Sequence, residues 1–582
     1  MMRWRGLAVV GLLGTVAACS AILGIDVLPA SGGANQSDAS SDSSASDDGS
    51  TGDGAVNDRD GSVNPNAPRL LAPLSTSHVT SRTPTLHWVL PSGVTDVTLD
   101  LCHDRACTIP IALGIPVHGS QYNAYSGQLP TGVVFWRTHA GTNTSPTWEF
   151  WVGARSALVD TSWGTTLDVN GDGRPDVAIG DGQQPGGVTI HLGIDGGIAT
   201  AAATSLTTSS FQGAFGGQVS SAGDVNGDGY GDLLVADIFQ TQQTVFVYLG
   251  SPSGIPSKPV AVLRDGSGIK GFGRVLPAGD INGDGYADIA FTGDTGATGP
   301  HTDAGFPAAT GINILFGSAG AFSANVRDGG FAADQTLLDP SGATGRHGDP
   351  AFGFVTATGD FNGDGLGDLA AWSQSFPDGG NSGSPFVGDT LYLFKGSDGG
   401  VVPTPYVTFV PSTPTFSPTL STVADFNGDG YGDVFTSGDD GYTALFKGNS
   451  YFAGAIQSSD AGTLMSSNGC WMTGDLNGDG FADGLLSSGD GLDPIFGVSL
   501  GVRASAPVSV SLGNGYFQSG PFVSAAGDVD GDGFGDVWMA IGSAPPTIGL
   551  FNGSLTGLAT APDGGLVPSL TLQGATVFGS TN

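Results

Sequence analysis

Seven near copies of one nine-residue pattern constrain this chain more than any other feature. They begin at Asp168 (DVNGDGRPD), Asp224 (DVNGDGYGD), Asp280 (DINGDGYAD), Asp360 (DFNGDGLGD), Asp425 (DFNGDGYGD), Asp475 (DLNGDGFAD) and Asp528 (DVDGDGFGD). Acidic or amide side chains at positions 1, 3, 5 and 9 supply oxygen ligands at close range. Glycines at positions 4 and 6 allow the positive φ of a sharp turn, and position 7 can lend its carbonyl. A hard cation needs this combination from a short loop, so each copy reads as a Ca2+ loop and the chain is expected to hold up to seven Ca2+ ions.

The expected ligands are Asp168, Asn170, Asp172 and Asp176 in the first loop and Asp224, Asn226, Asp228 and Asp232 in the second. The third and fourth offer Asp280, Asn282, Asp284 and Asp288, then Asp360, Asn362, Asp364 and Asp368. The fifth and sixth offer Asp425, Asn427, Asp429 and Asp433, then Asp475, Asn477, Asp479 and Asp483. The seventh, with Asp528, Asp530, Asp532 and Asp536, carries a carboxylate where the others have an amide. Tight turns also favour Asp, Asn and Gly, but a plain turn does not require four oxygen donors at fixed spacing seven times over.

An EF-hand is excluded, because that motif needs a bidentate Glu at position 12 between two helices. Here position 12 is Ile179, Val235, Phe291, Ala371, Thr436, Leu486 and Met539. The residues after each loop are strand-like, as in Asp232 to Ala236 (DLLVA), so each loop joins two strands. A longer unit surrounds every loop. A strand opening on FG or a similar pair precedes it, as in Phe215 to Gly223 and Phe272 to Gly279; a third strand ending in Gly comes after, as in Val188 to Gly193 and Val245 to Gly250; a weaker fourth run closes it, as in Val260 to Leu263. Loop-to-loop distances of 56, 56, 80, 65, 50 and 53 residues suit four short strands per unit. Glycine at 99 of 582 residues argues against long helices.

These units resemble the FG-GAP repeat family, the blades of integrin α-subunit propellers and of many bacterial surface proteins. The resemblance covers about Val159 to Asn582 and implies an all-β fold: a seven-bladed β-propeller with Ca2+-binding loops, assigned to residues 155–582. Trp163-Gly164 replaces FG in the first unit, and the sixth has Cys470-Trp471 before its loop and a poorly defined third strand. Ser569 to Gly574 followed by Phe578-Gly579 looks like the end of one unit and the start of an eighth that does not continue. The C-terminal segment is therefore expected to pair with the first blade and close the ring, removing two exposed sheet edges.

The N-terminus carries Arg3 and Arg5, an apolar run from Leu7 to Ala18 and then Cys19. A run this short reads as a signal peptide over residues 1–18 rather than a membrane span. Val16-Ala17-Ala18-Cys19 resembles a bacterial lipobox, which implies cleavage ahead of Cys19 and its lipidation; Ser20 after it favours the outer membrane of a Gram-negative cell. Residues 19–67, rich in Ser, Asp and Gly, cannot bury enough apolar surface to offset ordering and read as a disordered tether.

Residues 68–154 change to short β-rich runs around four tryptophans, Trp88, Trp136, Trp148 and Trp151, which reads as a small β-sandwich. It looks like a fibronectin type III module. Cys102 and Cys107 flank a four-residue turn that a disulfide can close, as suits an exported protein. A zinc site from Cys102, His103, Cys107 and His118 matches no strong zinc spacing.

Net charge is −36, and Glu149 is the one Glu among 54 acidic residues. Such a balance disfavours nucleic acid and anionic membrane surfaces as partners, leaving the lipid anchor as the membrane contact. HExxH does not occur, and 22 of the 54 acidic residues are committed to the loops, so the expected role is a surface-anchored module that binds or adheres to a protein or glycan ligand. An extracellular propeller lyase or hydrolase is the alternative. The long stretches Thr292 to Thr310, Asp339 to Pro350 and Ser373 to Gly388 fall, by strand parity, on the face opposite the calcium loops; they are a candidate recognition surface, against the reading that they are Gly-, Pro- and Ala-rich decoration without a partner, which their scarcity of Trp, Tyr and Arg favours.

Overall fold

The computed structural model describes residues 64–581, apart from short interruptions and the longer stretches 265–274, 295–309, 341–351, 374–389, 411–417, 505–522 and 560–567. Cys19, the expected signal peptide and nearly all of the tether lie outside the described residues, as do most of the three candidate recognition loops. Every regular element among the described residues is a strand, so the all-β expectation holds.

The N-terminal strands form two sheets. Arg69–Ala72, Thr85–Val89 and Gln121–Asn123 make the smaller one; Ser77–Val79, Asp96–Cys102, Pro110–His118, Gly132–Ala140 and Trp148–Val152 belong to the larger. Alternate residues of each strand turn inward, bringing Leu86, Trp88, Leu99, Val134, Trp136, Trp148 and Phe150 into one buried cluster. Trp136 lies edge-on to Trp148 with ring centroids 6.1 Å apart. Ser162–Trp163 adds a strand to the larger sheet by pairing with Ser77–Val79. Trp163 is thus not the opening pair of the first repeat.

Seven further sheets of four or more strands follow among the described residues, one for each loop, beside three two-stranded ribbons. In the second, Ala214–Gly223, Asp232–Ile238, Thr244–Tyr248 and Ala261–Arg264 pair in order as an antiparallel meander, and the loop at Asp224 joins its first two strands. Its second strand is apolar on both faces because both are covered. Leu234 packs with Ile289 and Phe291 of the third sheet, whereas Leu233 and Val235 pack with Ala178 and Ile190 of the first. Similar shared cores join sheets three and four, four and five, five and six, and six and seven. One more joins seven to one, where Val177 and Ile179 meet Trp538 and Ile548. The described sheets therefore follow one another in cyclic order.

The C-terminus accounts for the strand missing ahead of Asp168. Thr576–Phe578 pairs antiparallel with Val177–Gly180 as the opening strand of the first sheet. Ser580–Thr581 then pairs with Thr165–Thr166 and touches Val523–Gly527 of the seventh sheet. The expected pairing of the chain's end with the first repeat is present. The sixth sheet is more regular than its sequence suggests: Gly491–Val498 is a full third strand, with Gly497 inside it.

Candidate metal centres

All seven loops share one hydrogen-bond plan that follows from their side chains. Oδ2 of the Asp at position 1 accepts from the backbone N–H of the glycine at position 6 in every loop, at 2.6–2.9 Å. Oδ1 of the same residue accepts from the N–H of position 5, at 3.0–3.2 Å. The position-5 Asp in turn accepts from the N–H of position 7. The loop is wound around its own carboxylates.

Position 9 has a second task. All seven of these Asp side chains are buried. One oxygen accepts from the N–H of position 2 in the same loop, at 2.8–3.2 Å. The other accepts from the N–H of Gly193, Gly250, Gly317, Gly396, Gly448, Gly497 or Gly553, near the end of the third strand, at 2.7–3.0 Å. Glycine is needed there because the loop passes so close. A Cβ on Gly250 would lie 2.5 Å from the carbonyl oxygen of Gly231.

Burial is what makes these carboxylates unusual. It pushes Asp168, Asp360, Asp425 and Asp475 up to about 6, Asp280 and Asp536 to about 7, and Asp368 and Asp483 to about 8, with neighbouring carboxylates adding repulsion in each case. Several acids crowded out of water are costly to ionise without a compensating charge. Carboxylate, amide and carbonyl oxygens, with neither sulfur nor imidazole among them, suit a hard divalent cation such as Ca2+.

The loops are not equivalent. In the seventh, oxygens of Asp528, Asp530 and Asp536 already lie within 4.8 Å of one another, the one such trio among the described residues. Here the carboxylate that replaces the usual amide is held by Asn552. In the first, second, third and fifth loops the position-3 Asn donates to the position-5 Asp instead. In the fourth, Asn362 turns onto Asp368, which also accepts from the Tyr406 hydroxyl at 3.3 Å.

Sequence reasoning did not anticipate that the N-terminal sheets sit on these loops. Cys102 and Cys107 are joined in a disulfide, so neither thiolate is free for zinc, and His118 bonds Asp96 instead. The closed turn presents Arg105. Its guanidinium donates to the carbonyls of Gly171 in the first loop and Gly229 in the second, and stacks 4.3 Å from the Tyr230 ring centroid. Trp148 Nε1 donates to the Gly227 carbonyl at 3.0 Å, Arg69 faces the Tyr286 ring, and Arg155 lies over Phe481. Thr161 Oγ1 donates to the Gly430 carbonyl. Around Gly531 and Gly533 of the seventh loop, by contrast, an added Cβ would meet nothing within 4 Å. The signal in the sequence was faint: an Arg inside the disulfide turn and a solitary Glu.

A family model described as an FG-GAP-like repeat matches residues 168–235 and 224–291. Integrin alpha-PS5 of Drosophila melanogaster is 36% identical over 138 residues, which is 21% of this chain and 14% of that protein. Human integrin alpha-7 is 33% identical over 130 residues, 21% of this chain and 11% of the relative. The chain thus spans only a small part of the curated relatives it matches. Among solved structures, rhamnogalacturonan lyase YesW superposes with a TM-score of 0.38 at 13% identity, over 87% of this chain and 77% of the lyase. A rhamnogalacturonan lyase of Bacillus licheniformis gives 0.37 at 13%, over 85% and 76%. Superpositions this loose carry nothing about activity. The sequence matches do establish that the chain carries FG-GAP-like repeats over residues 168–291.

Proposed function

We propose that this chain is a calcium-stiffened, seven-bladed β-propeller, tethered through a lipidated Cys19 to the outer membrane or surface of a Gram-negative cell, that serves as a ligand-binding or adhesion module. The supporting observation is the cyclic sharing of apolar cores by seven successive sheets, each with the same carboxylate loop at the same connection. The N-terminal sheets, with three strands facing a larger set, are read as a fibronectin type III-like module over residues 68–154, and residues 155–582 as the propeller. Bound Ca2+ supplies positive charge where the buried carboxylates have too little; the chain's own residues set the loop shape and tie each loop to its strands.

Because the N-terminal sheets cover much of the loop rim, the opposite rim is the free face for a protein or glycan. Strand parity assigns recognition on that rim to residues 292–310, 339–350 and 373–388, most of which lie outside the described residues and whose sequence includes His301, Arg346, His347 and Phe376. Nothing in the net charge of −36 suits nucleic acid. The test is an array of glycans and proteins probed with the purified chain, alongside a turnover assay on polysaccharides. Saturable binding without product formation supports the adhesion reading; released unsaturated or reducing ends would replace it with the lyase or hydrolase alternative.

A further inference from the structure

Glu149 stands in the strand Trp148–Val152 of the N-terminal sheets, yet its carboxyl group belongs electrostatically to the first loop. It is fully buried, at 0% exposure. Oε2 lies 3.4 Å from Arg105 Nη2. Oε1 is buried and meets no hydrogen-bond donor. Against it stands Asp168, also at 0% exposure, with Asp172 and Asp176 behind. Two guanidinium groups reach this cluster of four carboxylates. Arg105 is shared with the carbonyls of Gly171, Gly229 and Thr147, and Arg174 divides itself between Asp172 and Asp195. Two buried carboxyl groups set against each other, one of them with an unpartnered oxygen, are expensive to ionise together unless a shared proton or a cation lies between them.

We infer that Glu149 is a ligand, supplied from the N-terminal sheets, to the cation of the first loop, so that the ion fastens those sheets to the loop rim. The inference rests on the proposal that the loops bind Ca2+. No other loop receives a carboxylate from the N-terminal sheets among the described residues, which makes the first site distinct from the rest. Carboxylate count is a main determinant of Ca2+ affinity in oxygen sites, so this loop binds its ion more tightly than the second loop, which has the same residue types at positions 1, 3, 5 and 9. Removing the ion leaves Glu149 facing Asp168 across the contact and loosens the N-terminal sheets there first.

The experiment uses the full chain and Ca2+ itself. Calorimetric titration of wild type and Glu149→Gln is paired with melting curves of both in chelator and in millimolar Ca2+. The expected result is one site weakened on the order of tenfold or more in Glu149→Gln, the others unchanged. The melting order should also cross. Gln fits the same space without the charge, so the variant melts at or above wild type in chelator and below it in Ca2+. A Glu that served only as partner to Arg105 would give a variant less stable in both conditions, which overturns the inference. Unchanged affinities at every site in Glu149→Gln also overturn it while leaving the loops as Ca2+ sites. Absence of Ca2+ binding by wild type would remove the underlying proposal as well. Should the variant fail to fold, Asp168→Asn read by hydrogen exchange at Trp148–Val152 decides the matter: protection that rises with Ca2+ in wild type must be lost in that variant.

Discussion

Between the first and second sheets the chain uses two devices, an apolar core and a loop clasp; between the seventh and the first it keeps the core but replaces the clasp. In the clasp, the N–H at position 8 of one loop donates to the carbonyl at position 1 of the loop before it. The bond recurs from Gly231 to Asp168, Ala287 to Asp224, Gly367 to Asp280, Gly432 to Asp360, Ala482 to Asp425 and Gly535 to Asp475, at 2.6–3.2 Å. At five of these six junctions a second bond runs from the residue after the strand-end glycine to the carbonyl at position 2, as from Ser251 to Val169. The seventh junction cannot copy this, because position 8 of the first loop is Pro175, which has no N–H. There the C-terminal strands take over, with Thr576–Phe578 laddered to the first sheet and Ser580–Thr581 laid between Thr165–Thr166 and the seventh sheet. Six junctions thus form between neighbours in sequence and can zip locally, whereas the last must wait for both ends of the repeat array to meet.

Calcium removal should separate these two kinds of junction most strongly. A ligand at about 100 times its dissociation constant stabilises by about 2.7 kcal/mol per site, so seven independent sites would contribute about 19 kcal/mol, more than the 5–15 kcal/mol of a typical domain. Chelator should therefore unfold or greatly loosen the sheets, beginning at the clasp amides of Gly231, Ala287 and Gly367. Melting curves in chelator and in millimolar Ca2+ that overlay would reduce the loops to plain turns.

Deleting residues 571–582 removes the closing strands together with most of Leu570–Gln573, the strand paired with Pro546–Phe551 in the seventh sheet, and should be the next largest effect. It leaves Val177–Gly180 and Val523–Gly527 with unpaired edges and opens a path for the first and seventh sheets to part. We expect the midpoint of thermal unfolding to fall by many degrees and cooperativity to drop. An unchanged midpoint would mean that the C-terminal ladder adds nothing to closure.

A smaller and more local change is Gly250→Ala. Its Cβ would lie 2.5 Å from the Gly231 carbonyl and 2.9 Å from that of Val169 in the neighbouring loop, so clasp and loop are both displaced. A cost of about 1–3 kcal/mol in urea unfolding is expected. At the closing junction the three atoms nearest a Cβ on the counterpart, Gly193, all belong to its own loop, in Arg174 and Pro175. Should Gly193→Ala cost as much as Gly250→Ala, contact across the clasp is not what demands glycine.

The smallest effect concerns pH near the closing junction. His78 pairs with Trp163, stacks on Trp151 and bonds Thr166 through Nε2 at 2.9 Å, beside the strand that holds Ser580–Thr581. Desolvation lowers it to about 4 from 6.5. A group depressed on folding binds its proton more readily in the unfolded chain. The contribution of neutral His78 is therefore complete above about 6.5 and is lost as pH falls toward about 4. Asp425, Asp475 and Arg155 line the same cavity of about 130 Å3, so the readout is the difference between wild type and His78→Gln, compared at several pH values. A difference that does not shrink between neutral pH and about 4.5 would show that His78 is not the titrating group.

Much of this molecule was legible because its information is local. Spacing within nine residues sets which amides a carboxylate can reach, so Asp224 organises its loop whatever lies beyond it. The run DLLVA implied a strand after the loop, and Asp232–Ile238 is one; that both its faces are covered, with Leu234 on one side and Leu233 and Val235 on the other, came from the neighbouring sheets. The terminal glycine of the third strand was visible as a pattern, but its cause, the nearby carbonyl of the same loop, required coordinates. Trp163-Gly164 misled for a related reason: it occupies the place of an FG pair in sequence order, yet the opening strand of that sheet arrives from the other end of the chain.

Read along the chain, the residues are enough to specify the loops, the strand order within each sheet and the acidic, all-oxygen character of the sites, since all of these arise from contacts between near neighbours. Only the assembled sheets could place Arg105 and Trp148 over the rim, set Glu149 against Asp168, and bring residues 576–581 in to replace a clasp that Pro175 forbids. Those contacts join residues that no local periodicity links, and they form only once apolar burial has brought whole sheets together.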